Sequence, residues 1–458
     1  MNAPDRRQQL FEALQTIVDP DLGRDIVSLG FVKNVEGLED GRVRFVLELT
    51  TPACPIKERF RDECHRALSR LPWVRSVDVR LSSRVRGAAP AAEGGRDGLR
   101  EVDAILAVGS CKGGVGKSTV AVNLAFSLAD LGGRVGLFDA DIYGPSLPTM
   151  VTPEDRELRV RDGMIAPPVY EGVRLMSFGF ANPDGAPAIM RGPMVSQVLD
   201  DLLTRTAWGP LDYLVIDLPP GTGDIQLTLM QRVPLTAAVI VTTPQELSVV
   251  DVVKGIRMFQ KLKVPVVAVV ENMAWFECPD CGQRHRPFGG GARERLVRQY
   301  GLRVAVDLPV RAEISAAGDR GRPVALAEPD GPVAAALREL AAGTVREISR
   351  LRAGLGRPPQ VRWDPARGVV VEHEDGRVFA LAARLVRDAC ACAACVDERT
   401  GERRAAAAPA DVRPVSIEPM GNYAVAVAWS DGHTSSVYPY ETLEALAGDL
   451  TRRGSSTE

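Results

Sequence analysis

The ten residues Ser110-Cys111-Lys112-Gly113-Gly114-Val115-Gly116-Lys117-Ser118-Thr119 hold the densest chemistry in the chain. They follow an apolar run at 104–108 and open a helical stretch at 120–131. A glycine-rich loop between a strand and a helix wraps its backbone N–H groups around phosphates at the helix N-terminus. Gly113, Gly114, Val115, Gly116, Lys117, Ser118 and Thr119 are therefore expected to bind a nucleotide. Lys117 would reach the terminal phosphates and Ser118 would hold Mg2+. Cys111 stands where such a loop usually begins with glycine, which should limit its freedom. A glycine-rich turn with no ligand is the alternative, and the strand and helix on either side weigh against it.

Acidic residues complete a phosphate site. The apolar run 213–216 ends in Asp217, ahead of Leu218-Pro219-Pro220-Gly221-Thr222-Gly223-Asp224. An aspartate at the C-terminal end of a buried strand beside a phosphate loop is placed to hold Mg2+ through water. Phe138-Asp139-Ala140-Asp141 ends another strand in the same way. Any one of these aspartates alone would read as a helix cap. No lysine is followed two residues later by Asp, so the Asn-Lys-x-Asp loop usual in GTPases is missing and ATP is preferred.

The thiols fall into two close-spaced groups. Cys278-Pro279-Asp280-Cys281-Gly282 offers two thiolates from one tight turn, half of what a four-iron cluster or a tetrahedral zinc needs. A twofold dimer would supply the other half, which makes a cluster shared between two copies the economical reading. Half of a zinc ribbon and a redox pair stay open for the same spacing. Cys390-Ala391-Cys392-Ala393-Ala394-Cys395 offers three close thiolates and needs a fourth partner. A second iron–sulfur site, completed by a ligand from outside the chain, is one solution. Cys54 lies just before a helix, where the dipole lowers a thiol pKa and favours a transient ligand; a small buried residue is the alternative. Cys64 shares an apolar face with Ile56, Phe60 and Leu68 and reads as core.

Several domains are needed to position these groups, since 458 residues exceed one core. The composition, 45% apolar and 25% charged, is that of a globular protein, and a net charge of −3 argues against nucleic-acid or membrane partners. Apolar runs near 235–241 and 264–270 are too short to span a bilayer. The first residues lack the apolar core of a signal peptide, and clustered thiols suit a reducing compartment, so the expected location is cytoplasmic. Residues 1–81 alternate helix and strand as a small α/β domain, and 82–100 read as an Ala- and Gly-rich linker. Residues 101–355 alternate helices with continuous apolar strands at 104–108, 135–138, 213–216, 237–241 and 264–270. That pattern predicts a mostly parallel sheet covered on both faces. Residues 356–450 turn β-rich, with strands at 368–373, 377–380, 411–418, 423–429 and 434–438 and a short helix at 441–447. The expected fold class is α/β, a central P-loop NTPase domain between a small α/β domain and a small β-rich one. Only seven of the 56 basic residues are lysines, and two of the seven lie in the glycine-rich loop.

Lys112, immediately before Gly-Gly-x-Gly-Lys, resembles the deviant phosphate loop of the MinD/ParA/nitrogenase iron-protein class. The resemblance implies that Lys112 crosses a dimer interface to the partner's nucleotide and that Asp141 orients the attacking water. It further implies that Asp139 supports Mg2+ and that Asn272, in Glu271-Asn272-Met273, reads adenine. Residues 103–330 resemble the Mrp/ApbC family of iron–sulfur cluster carriers, through 112–119, 139–146, 217–224 and the Cys278/Cys281 pair. Residues 8–81 resemble the small SufT-like domain of cluster assembly factors, through Asp19-Pro20 and Thr50-Thr51-Pro52-Ala53-Cys54-Pro55. Trp429-Ser430-Asp431-Gly432-His433, with the three late cysteines, resembles the γ-butyrobetaine hydroxylase N-terminal domain. That likeness implies a closed structural zinc site of Cys390, Cys392, Cys395 and His433. The domain order is most similar to the plastid high-chlorophyll-fluorescence Mrp-type scaffolds, from whose pattern the Cys278/Cys281 pair departs.

Together the resemblances imply a homodimeric, ATP-hydrolysing carrier. It would take a cluster, four-iron by expectation, from donors and pass it to apoproteins, using ATP and Mg2+ and holding Zn2+ in its last domain. Two rivals compete with it. A MinD/ParA-like positioning ATPase would need a basic amphipathic C-terminal helix or a basic patch, and the chain instead ends in Thr451-Arg452-Arg453-Gly454-Ser455-Ser456-Thr457-Glu458. An ATP-driven electron donor would also bridge a cluster between subunits.

Overall fold

A computed structural model describes residues 3–49, 53, 56–83, 97–182, 190, 192–221, 223–352, 359–373, 376–392, 394–397, 402–420 and 424–454. The chain forms two compact units: 1–109 with 116–236 and 311–355, and 110–115 with 237–310 and 356–458.

In the first unit, the N-terminal residues fold as helices Ala3–Gln15 and Lys57–Leu68 with strands Val32–Glu36, Arg42–Leu49 and Ser76–Ser83. Arg42–Leu49 alternates, burying Val43, Phe45, Leu47 and Leu49 while Arg42 and Arg44 face solvent. It pairs antiparallel with Val32–Glu36 and parallel with Ser76–Ser83, and the parallel step needs the crossover that Lys57–Leu68 supplies. That helix buries Phe60, Cys64 and Leu68. Burial pushes the Cys64 thiol up to about 12, so it behaves as core. Cys54 lies outside the described residues. Of the expected linker, Ser82 and Ser83 complete a strand and Asp97–Leu99 form a single 3-10 turn with Leu99 buried.

The same unit holds parallel strands in the order Val102–Gly109, Leu211–Asp217, Val135–Asp139 and Val173–Ser177, with Val169–Tyr170 antiparallel at the edge. Nearly every residue of the first three is buried, as a sheet covered on both faces requires. Helix Lys117–Asp130 packs on these strands and on helix Pro332–Arg352. The register sets Asp217 beside Asp139, so two carboxylates meet at the C-terminal ends of neighbouring strands.

The second unit carries parallel strands Ala237–Thr242, Val266–Glu271 and Val304–Asp307, with helices Glu246–Lys261 and Ala292–Tyr300. Its C-terminal part forms two antiparallel three-stranded sheets, Gln360–Asp364, Gly368–Glu372 and Val378–Leu381, and Pro414–Met420, Ala424–Trp429 and Ser436–Pro439. Val369, Val371, Val386, Val425, Trp429, Tyr438 and Leu443 form their shared core. The final helix, Tyr440–Gly454, is longer than its sequence pattern predicts. No helix among the described residues is long and apolar enough to cross a membrane.

Candidate nucleotide and metal sites

Strand Val102–Gly109 runs into the glycine-rich loop, and the loop into helix Lys117–Asp130. Gly114 (φ +76°) and Gly116 (φ +84°) take the left-handed conformation that other residues avoid, which turns the chain sharply into the helix. Nothing lies within 4 Å of where a Cβ on Gly113 or Gly114 would sit, so the loop backbone can be approached closely. Lys117 is buried; its ammonium pairs with the Asp217 carboxylate and lies 3.3 Å from the Ser118 hydroxyl. Burial raises Asp217 above the ordinary carboxylate range even against the Lys117 charge.

Asp139 is engaged by protein donors. Its Oδ2 accepts from Ser146 N at 3.0 Å, Leu147 N at 3.1 Å and the Ser177 hydroxyl at 3.2 Å, and its Oδ1 accepts from Asp141 N at 3.1 Å. Burial, reinforced by the nearby Asp217 charge, pushes its carboxyl up to about 7. The turn it fixes carries Asp141, which accepts from Gly144 N at 3.1 Å. Lys117, Ser118, Asp139, Asp141 and Asp217 thus gather within the first unit.

The second unit holds the start of the loop. Ser110 donates to the Lys112 carbonyl at 3.0 Å, and Asn272 donates through Nδ2 to the Val115 carbonyl at 2.9 Å. Asn272 therefore braces the loop through its amide nitrogen. The Lys112 side chain is exposed and makes no ion pair among the described residues. Cys111 turns its thiol against Gly255 on helix Glu246–Lys261, where a Cβ would collide with the sulfur. Burial holds that thiol up at about 11. Sequence reasoning missed Gly255, and only its place inside a helix, where glycine is disfavoured, could have flagged it.

Cys278 and Cys281 sit on a hairpin turn between the short strands Phe276–Glu277 and Arg284–His285. Cys278 N donates to Gln283 O, Gly282 N donates to Cys278 O, and Gly282 adopts φ +68°. Backbone N–H groups of Cys281 and Asp280 hold the Cys278 thiol below its ordinary range. Cys281 is exposed. No third Cys, His, Asp or Glu joins them in a ligand group among the described residues.

The late cysteines differ. Cys390, Cys392, Cys395 and His433 bring one ligand atom each within 4.8 Å of one another. His433 Nε2 lies 3.4, 3.3 and 3.6 Å from the sulfurs of Cys390, Cys392 and Cys395. A tetrahedral zinc with its usual bond lengths would give an N···S edge of about 3.6 Å. The irons of a four-iron cluster occupy separate corners and would hold their ligands further apart, so one ion fits and a cluster does not. Burial keeps His433 below its ordinary range, as the neutral imidazole that ligates. It also pushes Cys390 up to about 11.

Comparison with known proteins covers all three parts of the chain. The profile of the NUBPL iron-transfer P-loop NTPases matches residues 101–345. That of iron–sulfur cluster assembly proteins matches 7–79, and that of γ-butyrobetaine hydroxylase-like N-terminal domains matches 364–444. The chloroplastic Fe-S cluster assembly factor HCF101 of Oryza sativa subsp. japonica is 50% identical over 96% of this chain and 83% of its own. The iron–sulfur cluster carrier protein of Deinococcus radiodurans is 44% identical over 74% of this chain and 95% of its own. A solved nucleotide-binding protein from Archaeoglobus fulgidus, in complex with ADP, is 40% identical over 51% of this chain and 91% of its own, with a TM-score of 0.46. The chain belongs to the NUBPL iron-transfer P-loop NTPase family.

Proposed function

We propose that this protein hydrolyses ATP and carries a four-iron cluster, bridged between two copies by Cys278 and Cys281, to apoproteins. The observation that carries the reading is the incomplete thiol turn. Two cysteines are presented at a hairpin tip, one of them with a lowered thiol pKa, and no further ligand joins them among the described residues. The second pair would come from a second copy. Relatives named for iron–sulfur cluster assembly or carriage support the cargo, because the rice protein's similarity spans nearly the whole chain.

The nucleotide chemistry follows from the loop. Without a nucleotide the Lys117 ammonium is balanced by Asp217. Terminal phosphates would take over Lys117 and free Asp217, which with Ser118 forms an oxygen donor set suited to Mg2+. The ion would neutralise phosphate charge. Asp141 would orient the attacking water, and Asp139 would contribute to the Mg2+ site indirectly, by holding the turn 141–147. Exposed and unpaired among the described residues, Lys112 would reach the partner's nucleotide, so that nucleotide state alters the dimer and its grip on the cluster.

Cys390, Cys392, Cys395 and His433 would hold a resident Zn2+ with no open position, a structural site. The divisions 1–81, 82–100, 101–355 and 356–450 would correspond to assembly domain, linker, ATPase and zinc domain. Unpaired thiols favour a reducing compartment, the cytoplasm among them.

Anaerobic reconstitution tests the proposal. Wild type should gain iron and sulfide at one four-iron cluster per two chains and pass it to an apo-acceptor. Cys278→Ala and Cys281→Ala should lose the cluster while keeping ATPase activity. A Cys278→Ala protein with undiminished cluster content would sink the bridging idea.

A further inference from the structure

We infer that Arg387 positions the C-terminal metal site by tying its cysteine half to its histidine half. The inference rests on the reading of Cys390, Cys392, Cys395 and His433 as one metal site. Arg387 belongs to the short helix Ala383–Asp388, and its carbonyl accepts from Cys390 N at 3.3 Å. Its side chain is 8% exposed, so the guanidinium must find partners inside the domain. It finds one on each half. Nε donates to Asp431 Oδ2 at 2.8 Å, and Nη1 donates to Cys395 Sγ at 3.4 Å.

Asp431 passes the restraint to the histidine. Its Oδ1 accepts from His433 N at 3.1 Å, across Gly432, which adopts φ +85° and donates to Trp429 O. The tight turn that aims the imidazole is thereby fastened to the same guanidinium that holds the last cysteine. The other two sulfurs have neutral donors: Ser435 to Cys392 at 3.5 Å and Ser436 to Cys390 at 3.3 Å. Ser436 is itself held by Trp429 Nε1 at 3.1 Å. Each sulfur therefore has a side-chain donor outside the ligand set; Ser435 also lies 3.5 Å from His433 Nε2, and Arg387 ties Cys395 to the turn of His433 through Asp431. The rigid planar fork makes this possible, since a guanidinium donates along two fixed directions at once. A lysine offers a point charge and cannot keep both contacts in that geometry. The outer groups around a metal fix the orientation of its ligands, and losing one typically weakens binding by about 10- to 100-fold.

The test uses full-length protein: wild type, Arg387→Lys, Asp431→Asn and Cys392→Ser. Zinc content is measured by elemental analysis, and zinc affinity by competition with chelators of graded strength. Ligand geometry is read from the visible spectrum of Co2+-loaded protein, and thermal unfolding is followed with and without metal. Arg387→Lys should still take up one ion per chain but bind it roughly 10- to 100-fold more weakly, with a shifted Co2+ spectrum. Asp431→Asn should move in the same direction, which covers a failure of the lysine variant to fold. Wild-type zinc affinity and Co2+ spectrum in both variants would overturn the inference. Equal loss of stability in the metal-free and metal-loaded forms would overturn it too, as the mark of an ordinary buried ion pair. A wild type that binds neither zinc nor cobalt, or a Cys392→Ser protein that retains zinc at wild-type strength, would overturn the underlying metal-site reading instead.

Discussion

Replacing Asn272 with alanine should weaken every nucleotide alike. Asn272 is 8% exposed, and its Nδ2 donates to the carbonyl of Val115, itself buried in the phosphate loop. Alanine removes the donor and strands that carbonyl, at a cost of roughly 1–3 kcal/mol for an unsatisfied buried acceptor. If the loop must keep this conformation to hold phosphates, the whole cost falls on binding. At about 1.4 kcal/mol per decade, affinity then drops between about 5-fold and about 150-fold. The lower figure applies if water reaches the vacated position. Fluorescent ATP and GTP analogues titrated into wild type, Asn272→Ala and Asn272→Asp would read the effect, the aspartate keeping the shape without the donor. Both analogues should weaken by the same factor in both variants. Unchanged affinity would refute the bracing role, and a loss confined to ATP would transfer Asn272 to base reading.

Two further outcomes follow from buried contacts. Gly255→Ala should lower stability by about 1–3 kcal/mol through collision with the Cys111 thiol, even though alanine favours a helix. Chemical denaturation of the double variant with Cys111→Gly should recover most of the loss, and additive effects would refute the contact. The nucleotide-free protein should lose stability as pH rises from about 4 to about 7, because Asp139 moves from an ordinary 3.8 to about 7 on folding. The folded state binds that proton more tightly than the unfolded state, so stability is greatest below the unfolded value and falls as the folded carboxyl ionises. Asp139→Asn should flatten this stretch of the profile, and an unchanged slope would count against the shift.

Much of the architecture can be read from apolar runs alone. The strands Val135–Asp139, Leu211–Asp217 and Ala237–Thr242 are continuous hydrophobic stretches because both faces of a parallel sheet are covered. Arg42–Leu49 shows the opposite signature, alternation, because one face meets solvent. The strands that sequence reading missed include the buried Val173–Ser177, and others that are short and less buried. Val304–Asp307 has four residues and ends in a half-buried aspartate, while Arg159–Arg161 is wholly exposed and has no period to detect. The sequence pattern predicts the C-terminal helix only over 441–447 because its last turns carry Gly448, Asp449 and Gly454, which weaken the helical signal.

The chemistry divides along a similar line. Residues whose task depends on spacing along the chain, such as Lys117 with Ser118 or the cysteines of either group, could be named in advance. Those whose task depends on which distant residue the fold brings near could not, except for His433, which a family resemblance named. Cys111 with Gly255, Asn272 with Val115 and Arg387 with Asp431 are pairs of that second kind. The two thiol groups show why the difference matters for function. In sequence both are close-spaced cysteines short of four ligands, and iron–sulfur chemistry is open to each. In the fold, His433 closes one group inside a single chain, half-buried and braced by outside donors, while the other stays at a hairpin tip with its second cysteine exposed. A metal meant to stay needs a complete, shielded ligand set, whereas a cargo meant to leave needs an incomplete one that a second copy can complete and release. On that physical ground we propose the hairpin pair, rather than the richer Cys3His group, as the carrier site, and mutation of the two groups should separate cluster transfer from domain stability.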